Sequence, residues 1–373
     1  MRIAFDARPL LGSRTGVSVW LEGLVRGLAA ATDWRFVLCL PRPEPDVGFG
    51  DLGARAEMLC ASLRMPGTLW LHTLAAPQVA GRADAYIGTL GTLPRRLALP
   101  AVLAVHDLTP RTRARHHTLV NRYCFNAYFE ESAAGADEVV CVSEATKCGL
   151  AALLPRVAAR ARVIGEGVDP FFCPKGDGGE GAATRVRFAA GRRFIVQLGT
   201  LEPRKGIGTL LAAHAALLGT SASAPDLVLA GGEGWGGAWL VRALAAHPER
   251  SHVHLSGYVR REDARALLRH AEAVVLASDE EGFGLPLAEA LTCGAACVAS
   301  DAPALVELAA GAARHFPRGD APALAAALAA ALAPEEQARL RSAALGRAPR
   351  LAWAGPVAAW RELLEEVAAR PHL

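Results

Sequence analysis

Short apolar runs that alternate with segments of helical period restrict this chain more than any other feature. In the first half they read RIAFDA (2–7), WRFVLCL (34–40), DAYIGTL (84–90), AVLAVHD (101–107), EVVCVS (138–143) and ARVIGEG (161–167). The second half continues with FIVQLGT (194–200), DLVLAG (226–231), HVHLSGY (252–258), AVVLAS (273–278) and ACVASD (296–301). Most are continuously apolar rather than alternating, as strands covered on both faces are. Helical segments between them predict parallel sheets with right-handed crossovers, hence an α/β chain.

A chain of 373 residues exceeds one ordinary core. The break falls in FFCPKGDGGEGAATRVRFAAG (171–191), which carries Gly, Pro and charge without a clear period, and the interdomain linker is placed there. This predicts two doubly wound, Rossmann-like domains facing a central cleft, one over 1–175 and one over 190–354. After Ala321 the pattern is purely helical. Trp353 and Trp360, seven apart, share a helix face suited to docking, so the final helix (355–373) is expected to pack back on the first domain.

Composition excludes several classes. Hydrophobic residues at 52% and charged ones at 21% describe a folded chain. A net charge of +3 is too small to imply nucleic acid. Basic residues cluster in PRRLALP (94–100) and RTRARHH (111–117), either as a solvated surface or as a contact for anionic lipid or a phosphorylated acceptor. APALAAALAAALA (321–333) falls short of the ~20 residues that cross a bilayer. Asp6 and Arg8 interrupt what a signal peptide would need as its apolar core. The expected location is the cytoplasm, with peripheral attachment to the inner membrane face through the basic runs. The cysteines at 39, 60, 124, 141, 148, 173, 293 and 297 form no C-x-x-C pair and read as buried reduced thiols.

In open α/β sheets, ligands bind beyond the carboxyl ends of the strands. The most informative such stretch is EEGFGLPLAEALTCG (280–294). Pro286 suits the first helical position, so the amides of Phe283, Gly284 and Leu285 lie at the helix start, where an anion is welcome. Gly282 and Gly284 leave room for a ligand near the backbone. Glu289 is placed in the first helical turn and Glu281 on the strand side of the loop, carboxylates that suit sugar hydroxyls. A helix start alone accounts for the same residues, because the helix dipole favours an acid there. Arg204 and Lys205, after FIVQLGT, tip the balance: they would meet a phosphate from the other side and neutralise a pyrophosphate without a metal.

GGEGWGG (231–237) offers Gly232, Gly234 and Gly237 in G-x-G-x-x-G spacing. A dinucleotide site also needs an acid at the end of the next strand, and that strand ends in Gly257-Tyr258. The sequence has no G-x-S-x-G elbow, P-loop or H-E-x-x-H, and SDEE (278–281) supplies acids but no divalent-metal set.

With these residues assembled, the chain resembles the retaining glycosyltransferases of the GT-B fold, specifically glycosyltransferase family four, over essentially its whole length. SDEEGFGLPLAEALTCGAACVAS resembles that family's E-x7-E signature, here Glu281 to Glu289, and LGTLEPRKGI its basic phosphate-binding segment. VHDLTP, VVCVSEAT and GVDPFFCP are similar to flanking family segments in the right order. The resemblance implies a metal-independent hexosyltransferase, without a cofactor, that moves a hexose from a nucleotide-sugar donor to a glycan or lipid-linked acceptor. Carried over by position, Arg204 and Lys205 would bind the diphosphate, Glu289 the ribose hydroxyls and Glu281 the hydroxyls of the transferred sugar. The backbone at Phe283, Gly284 and Leu285 would support sugar and phosphate. His106 would reach the sugar, Gly16 would line the cleft near the phosphates, and Tyr258 and Val259 would flank the base. The GTLEPRK form points to mannose from GDP-mannose, with UDP-sugars close behind. Two departures stand out: Glu166-Gly167 replaces the usual Asn-Gly before Val168-Asp169, and the first loop reads RTGVSVW. A sugar-nucleotide epimerase, a sugar phosphorylase and a catalytically silent nucleotide-sugar-binding subunit stay open as alternatives.

Overall fold

The computed structural model describes the chain except residues 13, 45–47, 63–64, 110–118, 175–178, 222, 233, 235–236 and 371–373, together with the side chains of 119–126. The basic run 111–117, with Arg111, Arg113 and Arg115, therefore lies outside the described residues. The chain divides into two compact units, Met1–Gly167 with Trp353–Leu373, and Val168–Ala352.

The first unit is built on seven parallel strands: β1 (Arg2–Asp6), β2 (Arg35–Leu40), β3 (Ala56–Cys60), β4 (Ala85–Gly88), β5 (Ala101–Val105), β6 (Glu138–Cys141) and β7 (Arg162–Val163). Their order is β3-β2-β1-β4-β5-β6-β7. The second unit has six, again parallel: β8 (Phe194–Leu198), β9 (Asp226–Ala230), β10 (Val253–Gly257), β11 (Val274–Leu276), β12 (Cys297–Ser300) and β13 (Ala313–Phe316), in the order β10-β9-β8-β11-β12-β13. Both sheets are doubly wound. The chain runs outward from a central strand in one direction, then returns to its other side, so each sheet has a switch point, between β1 and β4 and between β8 and β11.

Central strands such as β5 and β9 are buried at every residue, as their continuous apolar runs require. Sequence reading misses β3 and β13 for one reason. Both are edge strands, β3 turning Glu57 and Met58 to solvent and β13 carrying Arg314 and His315, so neither needs an apolar run.

The linker expected at 171–191 is a correction. The chain enters the second unit at Val168, whose amide donates to Leu351 O at 2.8 Å, where the chain leaves it. Phe172 is already in that unit's core, and Phe171 lies under Arg261 and Arg265. Glu180–Ala189 is a helix, held by Arg269 and His270 on Glu180. The glycines and charges suggested a tether, but Phe171, Phe172 and Glu180 are each held against the second unit.

The helix Ala354–Ala368 belongs to the first unit and packs on the helix Gly16–Ala31. A Cβ on Gly23 would lie 2.2 Å from Trp353 Cζ2, and one on Gly27 2.3 Å from Val357 Cγ2, so only glycines four apart allow this approach. Trp360 is fully buried, edge-on to Trp20 with ring centroids 5.8 Å apart. The alanine-rich stretch forms the helix Ala321–Ala331, which buries Leu324, Ala327, Leu328 and Ala331. Among the described residues no helix is long and apolar enough to cross a membrane. Cys39, Cys141, Cys293 and Cys297 are buried free thiols, and burial pushes Cys141 and Cys293 up to about 12. Cys148 departs from the expectation of buried thiols and is exposed on the helix Glu144–Leu153.

Candidate functional site

The loops that follow β8 and β11 flank the switch point of the second sheet. After β8 the chain turns through Pro203–Lys205 into Gly206, which has φ +65° and starts the helix Ile207–Thr220. A Cβ on Gly206 would lie 1.9 Å from Ala277 O, just past β11, so the two loops touch through bare backbone. Gln197, a buried polar residue in an apolar strand, stitches them further: Nε2 donates to Lys205 O at 2.9 Å, and Oε1 accepts from the Ala277 amide at 3.4 Å. The Asp279 amide donates to Arg204 O at 2.8 Å.

This scaffold brings Arg204, Lys205 and Glu281 together. Lys205 Nζ donates to Glu281 Oε1 at 2.6 Å, Ser278 Oγ donates to the same oxygen at 2.7 Å, and an Arg204 amine lies 3.9 Å from Oε2. Arg204 Nε also sits 2.6 Å from Glu202 Oε1. The side chains are 19% (Arg204), 14% (Lys205) and 8% (Glu281) exposed. Burial alone would raise the Glu281 carboxyl, yet the charges of Lys205 and Arg204, with the hydrogen bonds from Lys205 and Ser278, hold it below the usual carboxylate range. Two cations and two carboxylates thus form a compensated, mostly buried quartet. Glu202, Ser278 and Gln197 complete the arrangement, and of these Gln197 had a visible signal, as the polar residue in FIVQLGT.

The glycine loop starts its helix one residue earlier than expected. Gly284 is the N-cap at φ +99°, pressed on Leu305, and Leu285 is the first helical residue, with Pro286 second. Glu289 is therefore fifth and lies in the second turn, buried to 8% exposure. The first helical position went to Leu285 because glycine supplies the left-handed cap two residues before the proline. The Gly284 and Leu285 amides sit where a helix has no acceptor of its own, as anticipated. Gly282 and Phe283 are half-buried in the same loop, Phe283 against the core.

Tyr258 and Val259 follow β10, at the sheet edge and two strands from β8; Tyr258 is 62% exposed and Val259 packs on the core. The glycine run after β9 serves loop packing, with Leu201 N on Gly232 O at 2.9 Å and Gly234 N on Leu201 O at 3.0 Å; residues 233, 235 and 236 lie outside the described set.

In the first unit, Gly16 opens its helix behind an N-cap at Thr15, where Thr15 and Ser18 form a capping box. His106 follows β5, one strand beyond that sheet's switch point. Its Nδ1 lies 3.1 Å from Glu166 Oε1, and its ring stands edge-on to Trp20 with centroids 4.5 Å apart. Asp6, at the end of β1, binds Arg8 at 2.6 Å, and Arg8 in turn donates to Thr92 Oγ1 at 3.2 Å. This pair at the β1/β4 switch point was not read from the sequence as part of a site.

Residues 180–346 match the family model described as Glycosyl transferases group 1. The chain is 25% identical over 323 residues to O-antigen chain mannosyltransferase B of Escherichia coli, covering 83% of this chain and 84% of that one. It is 29% identical over 234 residues to the serotype-specific mannosyltransferase WbdA of Escherichia coli, covering 60% of this chain and 28% of the longer relative. Among solved structures, it is similar to Anabaena Alr3699/HepE in complex with UDP-glucose, with a TM-score of 0.76 at 19% identity over 98% of this chain and 100% of that one. At that identity the likeness is one of fold, the GT-B fold.

Proposed function

Because this chain is a GT-B-fold glycosyltransferase whose residues 180–346 match the glycosyl transferases group 1 model, we propose that it transfers mannose from GDP-mannose to a growing polysaccharide or glycolipid. The similarity to two O-antigen and serotype mannosyltransferases supports the sugar and the biosynthetic role. The observation that carries the site is the Arg204–Lys205–Glu281 cluster, set beside the Gly284 helix start at the switch point of the second sheet.

The residues take these parts. Arg204 and Lys205 receive the diphosphate and stabilise the charge that develops on it as the bond from hexose C1 to phosphate oxygen breaks. The helix-start amides supply neutral donors to the same anion. Glu281, kept ionised, is an acceptor that orients sugar hydroxyls, and Glu289 holds those of the ribose. The acceptor hydroxyl attacks C1 on the face the phosphate leaves, and its proton passes to the departing diphosphate oxygen, so configuration is retained. His106 meets a substrate hydroxyl. The positive charge comes from side chains, so EDTA should leave the rate unchanged. Peripheral attachment to anionic lipid belongs to the same reading and rests on the basic runs; co-sedimentation with anionic vesicles tests it.

The deciding experiment is thermal unfolding with GDP, UDP, ADP and NAD in parallel, repeated on Glu289→Ala. A ligand at a hundred times its dissociation constant adds about 2.7 kcal/mol of stability. GDP should raise the midpoint of the parent and lose most of that effect in the variant. Stabilisation by NAD alone would overturn the transferase site, and stabilisation by UDP alone would replace the donor.

A further inference from the structure

We propose that Glu166 is the positioning residue that decides which nitrogen of His106 meets the substrate sugar. The proposal rests on His106 serving the transfer described above. His106 follows β5 and Glu166 follows β7, two strands along the same sheet. Glu166 Oε1 lies 3.1 Å from His106 Nδ1, and the two side chains are 6% and 12% exposed. An ionised carboxylate can only accept, so the proton of this contact sits on Nδ1. The ring has no freedom to turn away: Trp20 meets it edge-on at 79°, and Trp20 is itself buried against Trp360. Gly167, next to Glu166, is equally confined, since a Cβ there would lie 2.4 Å from the Trp353 indole.

The other nitrogen, Nε2, is buried and has no hydrogen-bond partner among the described residues. Buried polar atoms are normally satisfied, and an orphan of this kind asks for a ligand. With the proton held on Nδ1, a neutral ring presents a lone pair at Nε2. That atom accepts from a hydroxyl and cannot donate to phosphate. The class of group it fits is therefore an uncharged sugar hydroxyl rather than the diphosphate. The replacement of the usual Asn by Glu at position 166 acquires a physical meaning, a carboxylate behind a histidine.

Two measurements on the full-length chain test this. In protein labelled with 15N-histidine, long-range proton–nitrogen correlation reports the tautomer, with the His106 signals assigned by their loss in His106→Ala. The parent should show the proton on Nδ1, and Glu166→Ala should shift it toward Nε2; a parent protonated on Nε2 overturns the proposal. In a double-mutant cycle, Glu166→Ala should lower kcat by about tenfold to a hundredfold, by analogy with carboxylates behind metal-bound histidines, with the donor KM little changed. It should cost nothing further in His106→Ala, and Glu166→Gln, which keeps an acceptor oxygen, should recover part of the rate. Additive losses overturn it. The midpoint shift produced by GDP should be the same in Glu166→Ala as in the parent, and its loss would mark general damage instead. A parent that transfers no sugar would defeat the proposed function, while the tautomer spectrum would still decide the dyad.

Discussion

Lys205 Nζ lies 2.6 Å from Glu281 Oε1, across 76 residues of sequence, and the contact joins the loop after β8 to the loop after β11. It makes the residues proposed to handle the donor into structural partners of one another. A change at either one acts on stability as well as on binding.

Lys205→Ala leaves a buried carboxylate short of its main partner. The expected loss is about 3 kcal/mol, read by chemical denaturation at neutral pH. Adding Glu281→Gln should restore at least half of it, because the orphaned charge is gone. If the two single losses simply add, the pair is not coupled in the way described.

The Glu281 carboxyl is held below its ordinary value of 4.5, with burial opposing and Lys205 and Arg204 prevailing. A depressed carboxylate contributes stability that is present above the unfolded value and lost as pH falls through the folded one. Acidification below about 4.5 should therefore cost the parent more stability than Glu281→Gln. Parallel acid-unfolding curves would contradict this.

Gly206→Ala places a Cβ 1.9 Å from Ala277 O in a residue with φ +65°. It should destabilise by more than about 2 kcal/mol and abolish transfer. Gly208→Ala is the control. Among the described residues, nothing beyond its own helix backbone and chain neighbours lies within 4 Å of its Cβ, so it should be neutral or stabilise by about 0.5–1 kcal/mol. Melting of the two variants side by side checks both.

Trp360→Ala removes a fully buried indole that packs on Trp20. The expected cost is about 3–5 kcal/mol. It should fall on the first unit, and GDP binding by any still-folded second unit should persist. Differential scanning calorimetry with and without GDP measures both.

His214 is fully buried, with Nε2 3.0 Å from Pro225 O and Nδ1 3.3 Å from His247 Nε2. Burial brings its pKa from 6.5 to about 4. The neutral ring is stable in the fold, so stability is present above 6.5 and declines as pH falls toward about 4, by at most about 3 kcal/mol. His214→Leu should flatten that part of the curve; an unchanged slope would assign it elsewhere.

Particular residues show where sequence reading stops. Strands buried on both faces, such as β5 and β9, carry their own signature, because every side chain must be apolar. The edge strands β3 and β13 need only one covered face and left none. Arg204, Lys205, Glu281 and the Gly284 turn were legible as candidates because they follow strand ends, and the loops that carry them adjoin in the structure. Glu289 was placed one turn too early, because a cap position depends on the backbone angle of Gly284 and not on the proline that announces the helix.

Local pattern thus determined what each segment of this chain is: which runs are strands, where the chain turns, and which loops carry charge and glycine. Only tertiary structure decided which loops meet. The partnership of Lys205 with Glu281, the stitch by Gln197, the carboxylate of Glu166 behind His106 and the close approach of Trp353 to Gly23 all join residues far apart in sequence. The physical reason is that strand and helix signals are carried by neighbours along the chain. The identity of a partner is set instead by sheet order and close packing, through contacts whose sequence separation no local periodicity records.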